Sequence, residues 1–175
     1  MQAGTVPRFD MTALSDAFAH PLPLADLGAT QRLAGDLAAL ARPGDVFALS
    51  GPLGVGKTEF ARAFIRASAL RHGAPPPEEV PSPTFTLVQT YDLGAVTVWH
   101  FDLYRLERPE DAAELGLEEA FGDGVSLIEW PERLAGQLPR DRLDIALGYA
   151  GTDKPGARVA TLTGHGAWGA RLGHA

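Results

Sequence analysis

The feature that most constrains this chain is the octapeptide at 51–58, which reads Gly-Pro-Leu-Gly-Val-Gly-Lys-Thr and fits the pattern G-x-x-x-x-G-K-[ST]. An apolar run at 46–50 precedes it, and a pattern typical of a helix follows it over 57–71. Glycines allow successive backbone N–H groups to surround a phosphate, and the start of the helix adds partial positive charge. The sequence therefore predicts a strand, a phosphate-binding loop and a helix, in that order.

Within this loop, we expect Lys57 to reach the β- and γ-phosphates of a nucleotide and the Thr58 hydroxyl to bind Mg²⁺. Lys57 and Lys154 are the only lysines of a chain that otherwise uses arginine, so each is expected at a position that arginine cannot fill. The predicted nucleotide contacts are the whole loop and the residue after it, namely Gly51, Pro52, Leu53, Gly54, Val55, Gly56, Lys57, Thr58 and Glu59.

Two acidic residues end apolar runs and are candidates for the chemistry that such a loop needs. Asp102 follows the run at 98–101, and Glu129 follows the run at 125–128. One of them could hold Mg²⁺ while the other orients or deprotonates the attacking water. Each acid taken alone could equally be a solvated carboxylate at a strand end, and the residues leave open which acid has which role.

Three further positions are candidates for the same site. Ser82 and Thr84 flank a proline just before a predicted strand, where a hydroxyl could contact the γ-phosphate, although an ordinary turn is slightly favoured. Trp130 follows Glu129 and could either form a wall of the nucleotide site or belong to the core. His100 is expected to be a packed side chain.

Composition excludes several classes of protein. The absence of cysteine excludes disulfide bonds and cysteine-based zinc or iron–sulfur sites. A net charge of −7 argues against autonomous binding to nucleic acid or to an anionic membrane surface. The sequence has neither a membrane-length apolar run nor a signal-peptide pattern, so we expect a cytoplasmic protein without a membrane partner.

The pattern of elements predicts an α/β fold, with a mixed, partly parallel sheet flanked by helices and a C-terminal β-hairpin. We expect a loose N-terminal arm at 1–24, one P-loop domain at 25–163 and a C-terminal tail at 164–175. Five prolines within 74–83 predict a surface loop that could move. The other predicted elements are a helix at 28–41, strands at 85–91, 96–101 and 125–130, a helix beginning at Pro109, and a hairpin from 143–149 and 158–163.

Three classes of function remain open on these residues. A GTPase that reads guanine through N-K-x-D is excluded because the chain has no asparagine, so ATP is the expected nucleotide. A small-molecule kinase would need an arginine-bearing lid, for which Arg105 and Arg108 are only weak candidates. An ATP-driven switch would need a mobile loop and a partner surface, which the proline-rich segment and the hairpin allow. A catalytically inactive nucleotide-binding module is the third class.

Four segments in register resemble the TsaE (YjeE) family of bacterial P-loop ATPases over residues 25–163. They are Gly51–Thr58, Ser82-Pro-Thr-Phe-Thr-Leu-Val, His100-Phe-Asp-Leu-Tyr-Arg and Leu127-Ile-Glu-Trp-Pro-Glu. The resemblance implies a weak ATPase that binds ATP and Mg²⁺ and supports TsaB and TsaD in forming N6-threonylcarbamoyladenosine at position 37 of tRNAs that read ANN codons. The net charge of −7 favours contact with tRNA only indirectly, through that complex, over a direct grip on tRNA.

The resemblance also implies roles for single residues. Lys57 and Thr58 would bind phosphate and metal, Glu129 would be the metal ligand of Walker B type, and Asp102 would be the second acid needed for hydrolysis. Ser82 and Thr84 would lie in a switch-like segment, and Trp130 would lie near the nucleotide. One departure falls inside the loop, where Pro52 stands in place of the aspartate of many relatives.

Overall fold

The computed structural model describes residues 21–151 and 156–172. Its strands and helices, in chain order, are β1 (Pro21–Leu24), α1 (Leu27–Leu40), β2 (Val46–Ser50), α2 (Lys57–Arg71), β3 (Val88–Asp92), β4 (Thr97–Asp102), α3 (Leu117–Asp123), β5 (Val125–Glu129), β6 (Arg142–Tyr149), β7 (Arg158–His165) and α4 (Ala167–Leu172). Two 3-10 helices, Pro109–Leu115 and Pro131–Leu134, lie before α3 and after β5. No helix in the described ranges is long and apolar enough to cross a membrane.

The described strands form one mixed sheet in the order β1-β7-β6-β2-β5-β4-β3. β2 runs parallel to both β5 and β6, and β4 runs parallel to β5, whereas the remaining neighbours are antiparallel. The register pairs Glu129 with Leu49 on one side and with Asp102 on the other. The carboxyl ends of β2, β4 and β5 therefore meet at one edge of the sheet, which is where α/β folds bind ligands.

Apolar side chains from alternate strand positions fill two cores, one on each face of the sheet. On one face, Phe47 packs against Phe64 of α2 with ring centroids 4.8 Å apart. On the other face, Phe101 and Ile128 pack with Leu117 of α3. Because a buried phenylalanine contributes about 1.5–3 kcal/mol, these contacts fix α2, and hence the loop before it, against the sheet.

The predicted α/β fold with a C-terminal hairpin is confirmed, and β2 and α2 have the predicted bounds. The predicted strand at 85–91 begins only at Val88. Leu87 has φ 65° and donates its N–H to the carbonyl of Pro83, which makes this segment a turn. The predicted helix at Pro109 is a 3-10 helix, which ends at the left-handed Gly116 before α3 begins.

The chain on both sides of the expected 25–163 domain differs from the expectation. The last four residues of the expected loose arm form β1, which pairs with β7, and residues 1–20 of that arm lie outside the described residues. Residues 164 and 165 of the expected tail end β7, and Ala167–Leu172 form α4. Trp168 is 1% exposed and packs on Phe47 at 5.2 Å, so apolar burial holds this segment in place.

The proline-rich segment at 74–83 was predicted to be a loop that could move, and the structure attaches it to α2. Arg62 donates from Nε to the carbonyl of Val80 at 2.7 Å, and Arg66 donates from Nη2 to the carbonyl of Glu78 at 3.0 Å. A loop without regular structure still has to satisfy its carbonyls, and arginine side chains do so here. The attachment fixes the chain just before Ser82.

Candidate functional site

A cleft of about 310 Å³ opens at the carboxyl edge of the sheet, between the 51–58 loop and the ends of β4 and β5. It brings together most of the residues that the sequence singled out. Gly51, Pro52 and Val55 do not line it, and Tyr104, which the sequence did not single out, does. The lining residues are Leu53, Gly54, Gly56, Lys57, Thr58, Glu59, Ser82, Thr84, Asp102, Tyr104, Glu129 and Trp130.

The loop conformation requires glycine at its first position. Gly51 has φ 132°, and a Cβ at this residue would lie 2.2 Å from the carbonyl oxygen of Leu147. The loop therefore packs so closely on β6 that a side chain cannot fit. At the other end, Gly56 has φ 115° and is the N-cap of α2, so the loop turns directly into the start of the helix.

Lys57 is 5% exposed and points back into the loop. Its Nζ donates to the carbonyls of Gly51 at 2.7 Å and Pro52 at 3.1 Å, and it lies 3.8 Å from the centre of the Trp130 ring. Burial lowers the pKa of Lys57 from its usual 10.5, and the nearby carboxylate of Glu129 opposes that shift. Lys57 is therefore a desolvated cation, for which an additional anion would be a favourable partner.

Glu129 connects the loop to the sheet. Its Oε2 accepts a hydrogen bond from the Thr58 hydroxyl at 3.0 Å, and its Oε1 lies 2.8 Å from Nε2 of His100. His100 is fully buried, as the sequence predicted, and Glu129 is 2% exposed. Nδ1 of His100 has no hydrogen-bond partner in the described chain, so a proton on Nε2, donated to Glu129, satisfies the pair best.

Asp102 holds the Ser-Pro-Thr segment over the cleft. Its Oδ2 accepts hydrogen bonds from the hydroxyls of Ser82 at 3.0 Å and Thr84 at 2.5 Å, and its Oδ1 accepts from the backbone N–H of Tyr104 at 3.1 Å. The two hydroxyls also lie 2.8 Å apart. The structure thus joins Ser82, Thr84 and Asp102 into one hydrogen-bonded group at the mouth of the cleft.

Trp130 forms one wall of the cleft, which is the first of the two alternatives that the sequence left open. It has φ 59° and ψ 51°, and its N–H donates to the carbonyl of Leu49 at 3.2 Å, so backbone contact holds it in the left-handed region. Tyr104 lies beside it with ring centroids 4.9 Å apart. The sequence assigned no role to Tyr104, although it lies in the family-like segment at 100–105, and its position two residues after Asp102 puts it at the same edge.

The two arginines considered for a lid do not line the cleft. Arg105 lies 4.6 Å above the ring of Phe85, and Arg108 forms a 2.7 Å ion pair with Asp111. No arginine is among the residues of the described chain that line the cleft. The cleft therefore offers Lys57 as its only cation from these residues.

The oxygen atoms of Thr58 and Glu129 fit the preferences of Mg²⁺. This ion binds few protein ligands, commonly one or two carboxylates and a hydroxyl, and completes its octahedron with phosphate oxygens and water. The described residues contain no group of three or more acidic or histidine side chains that could hold a metal alone. The described residues thus fit a metal ion that is bound jointly by the protein and a phosphorylated ligand better than a metal ion that is bound by protein side chains alone.

A family model described as Threonylcarbamoyl adenosine biosynthesis protein TsaE matches residues 24–158. The tRNA threonylcarbamoyladenosine biosynthesis protein TsaE of Bacillus subtilis is 40% identical over 138 residues, which cover 78% of this chain and 80% of that protein. The protein of the same name from Rickettsia bellii is 40% identical over 134 residues, which cover 77% and 88%. The crystal structure of Bacillus subtilis YdiB has a TM-score of 0.68 and 33% identity, and the match covers 90% of this chain and 94% of that one.

Proposed function

Because the chain belongs to the TsaE family of threonylcarbamoyladenosine biosynthesis proteins, we propose that it binds ATP and Mg²⁺ and hydrolyses ATP slowly by itself. In this proposal it acts in the cytoplasm with TsaB and TsaD as they form N6-threonylcarbamoyladenosine at position 37 of tRNAs that read ANN codons. It contacts tRNA only through that complex.

One observation carries the nucleotide part of this proposal, namely the 3.0 Å contact between the Thr58 hydroxyl and Glu129. The two residues are 71 positions apart in the chain. Their oxygens meet beside Lys57, at the start of α2, where backbone N–H groups and the helix dipole attract phosphate. A phosphate-binding loop and a carboxylate for the metal are the two parts that P-loop enzymes combine.

The proposed chemistry assigns a role to each side chain. Mg²⁺ supplies charge neutralisation between the phosphates, and Thr58 and Glu129 would hold it. Lys57 exchanges its two carbonyl partners for phosphate oxygens. Asp102 orients the attacking water, and its hydroxyl partners on Ser82 and Thr84 bring the switch-like segment to the same place.

The content of the cleft supports slow hydrolysis rather than efficient phosphoryl transfer. An arginine that stabilises the transition state contributes about 10³ to 10⁵ in rate. No arginine of residues 21–151 and 156–172 lines the cleft, and we propose that a partner supplies this stabilisation. Arg105 and Arg108, the two described arginines considered for the lid of a small-molecule kinase, lie outside the cleft lining as well.

Two properties of the surface support action through partners. The net charge of −7 disfavours a direct grip on tRNA. Large apolar side chains are exposed on segments that form the cleft, with Leu53 69% exposed and Phe85 83% exposed. We propose that these two side chains contact a partner protein that docks beside the cleft.

The test is ATP hydrolysis by the purified chain, alone and with a TsaB–TsaD pair from the same source. We expect a slow basal rate that changes when the pair is added, and a complex that co-elutes in gel filtration. A rate that is indifferent to the pair, with no complex, would contradict the partnership.

Lys57→Ala should abolish tight ATP binding while circular dichroism shows an intact fold, and unchanged affinity would contradict the nucleotide site.

The two acids are separated by a second pair of variants. Glu129→Ala should lose the Mg²⁺ dependence of nucleotide affinity, because its carboxylate lies against Thr58. Asp102→Ala should retain affinity and lose hydrolysis, because its carboxylate lies against Ser82 and Thr84 instead. Exchanged phenotypes would mean that the roles of the two acids are reversed.

A further inference from the structure

Two side chains outside the cleft, Tyr149 at the end of β6 and Arg158 at the start of β7, hold the outer side of the phosphate-binding loop. We propose that they are positioning residues for phosphate, because they turn two loop carbonyls away from the cleft and so aim the following N–H groups into it. This inference rests on the proposed nucleotide site. It adds the two side chains that set the direction of the backbone N–H groups in the loop.

Each side chain bonds one loop carbonyl. The Tyr149 hydroxyl donates to the carbonyl of Leu53 at 3.0 Å, and Nε of Arg158 donates to the carbonyl of Val55 at 3.0 Å. The two side chains also contact each other, since the Arg158 guanidinium lies 4.5 Å above the ring of Tyr149. Neither of them lines the cleft. Together they form one clamp on the side of the loop that faces away from it.

The geometry of the peptide bond transmits this hold to the inner side. A trans peptide is planar, and its C=O and its N–H point in opposite directions. Fixing the Leu53 carbonyl outward therefore turns the Gly54 N–H inward, and fixing the Val55 carbonyl outward does the same for the Gly56 N–H. Gly54 and Gly56 both line the cleft, which agrees with this direction.

The two glycine N–H groups are free to serve a ligand. Neither donates a hydrogen bond to another group within residues 21–151 and 156–172, whereas the N–H of Val55 between them donates to the carbonyl of Pro52. Gly54 and Gly56 have φ 75° and 115°, where a side-chain-bearing residue is strained and a glycine has several alternatives. A loop this permissive needs an external contact to select one conformation, and the clamp provides it.

The test compares the affinity of ADP with Mg²⁺, measured by calorimetry, for the full chain and for Tyr149→Phe, Arg158→Met and the double variant. Each single change should weaken ADP about threefold to tenfold, the effect expected when charge-assisted hydrogen bonds are misaligned but not removed. Tyr149→Phe is the decisive variant because it removes one hydroxyl and no charge. Tyr149 is 51% exposed, so this change should leave the unfolding temperature nearly constant.

Two matched controls lie elsewhere in the chain. Tyr91→Phe removes a hydroxyl that has no hydrogen-bond partner in the described chain, and Arg71→Met removes an arginine that donates to the carbonyl of Ala39. Both should bind ADP like the unchanged chain. A general effect of losing a hydroxyl or a positive charge would weaken the controls as well, and that result would overturn the clamp.

A spectroscopic readout separates positioning from mere stability. In glycine-labelled protein, ADP should move the amide proton signals of Gly54 and Gly56 downfield, and the movement should shrink in Tyr149→Phe. Unchanged affinity and unchanged shifts in the clamp variants, with ADP binding intact in the parent chain, would overturn the clamp alone. Failure of the parent chain to bind ADP at all would overturn the proposed nucleotide site and the clamp with it.

Discussion

His100 should control the Mg²⁺-dependent affinity of the proposed nucleotide site although it does not line the cleft. Its Nε2 lies 2.8 Å from Oε1 of Glu129, and the other oxygen of that carboxylate accepts from Thr58. The imidazole thus fixes the direction of the carboxylate that we propose as a metal ligand. We predict that His100→Leu loses this direction, whereas His100→Gln retains it because an amide NH₂ can reach the same oxygen.

The size of the effect follows from burial. His100 is fully buried and Glu129 is 2% exposed, so water cannot replace the lost donor. A hydrogen bond to a charged group contributes about 1.5–3 kcal/mol to stability. Burial of the apolar leucine side chain offsets about 1 kcal/mol of this loss. A net loss of about 0.5–2 kcal/mol lowers the unfolding temperature of a domain of this size by about 1–8 °C. Loss of such an outer contact to a metal ligand weakens metal binding about tenfold to a hundredfold.

The assay is calorimetric titration with ADP at fixed Mg²⁺ and with EDTA, together with thermal unfolding. His100→Leu should bind like the parent chain in EDTA and at least about tenfold more weakly with Mg²⁺. Ser126→Ala is the control, since it removes another fully buried donor, to the carbonyl of Ala120, and should lower stability alone. Unchanged Mg²⁺ dependence in His100→Leu, or an equal loss in His100→Gln, would refute the reasoning.

The remaining predictions concern the loop itself. Gly51→Ala should lower the free energy of unfolding by more than about 2 kcal/mol, because its Cβ would lie 2.2 Å from the Leu147 carbonyl. The Cβ of Gly56→Ala would meet nothing within 4 Å, so this change should lower the free energy of unfolding only through backbone strain. Urea unfolding measures both effects. Of the two lysine signals in an NMR titration, one should titrate below 10.5, disappear in Lys57→Ala and move to higher pH with ADP, since burial lowers this pKa and phosphate raises it. Because the unfolded chain binds the Lys57 proton more tightly, this group's contribution to stability should rise with pH between the lowered pKa and 10.5.

The parts of the fold that the sequence predicted well are those with local causes. The β2 strand, the loop and α2 have the predicted bounds because apolar run, glycines and helical period follow one another without a break. Asp102 and Glu129 were found because each ends an apolar run, and parallel strands bring their ends together. This reasoning needs no knowledge of which strands are neighbours in the sheet.

The parts that the sequence did not predict depend on contacts between distant segments. Whether Pro21–Leu24 forms a strand depends on its pairing with β7, and whether the Gly-rich tail forms α4 depends on a pocket for Trp168 beside Phe47. The contacts of Tyr149 and Arg158 with the loop join residues 96 and 103 positions apart. Such contacts appear only when the order of strands in the sheet places the β6–β7 hairpin beside the loop.

The hydrogen bonds of the cleft also limit how tightly a nucleotide can bind. Lys57 already has two carbonyl partners, Thr58 already donates to Glu129, and Asp102 already accepts from Ser82 and Thr84. A nucleotide with its metal would therefore exchange existing bonds for new ones, and only the difference contributes to affinity. A partner that favours one set of these bonds could shift nucleotide affinity by that same difference, without adding any contact to the nucleotide.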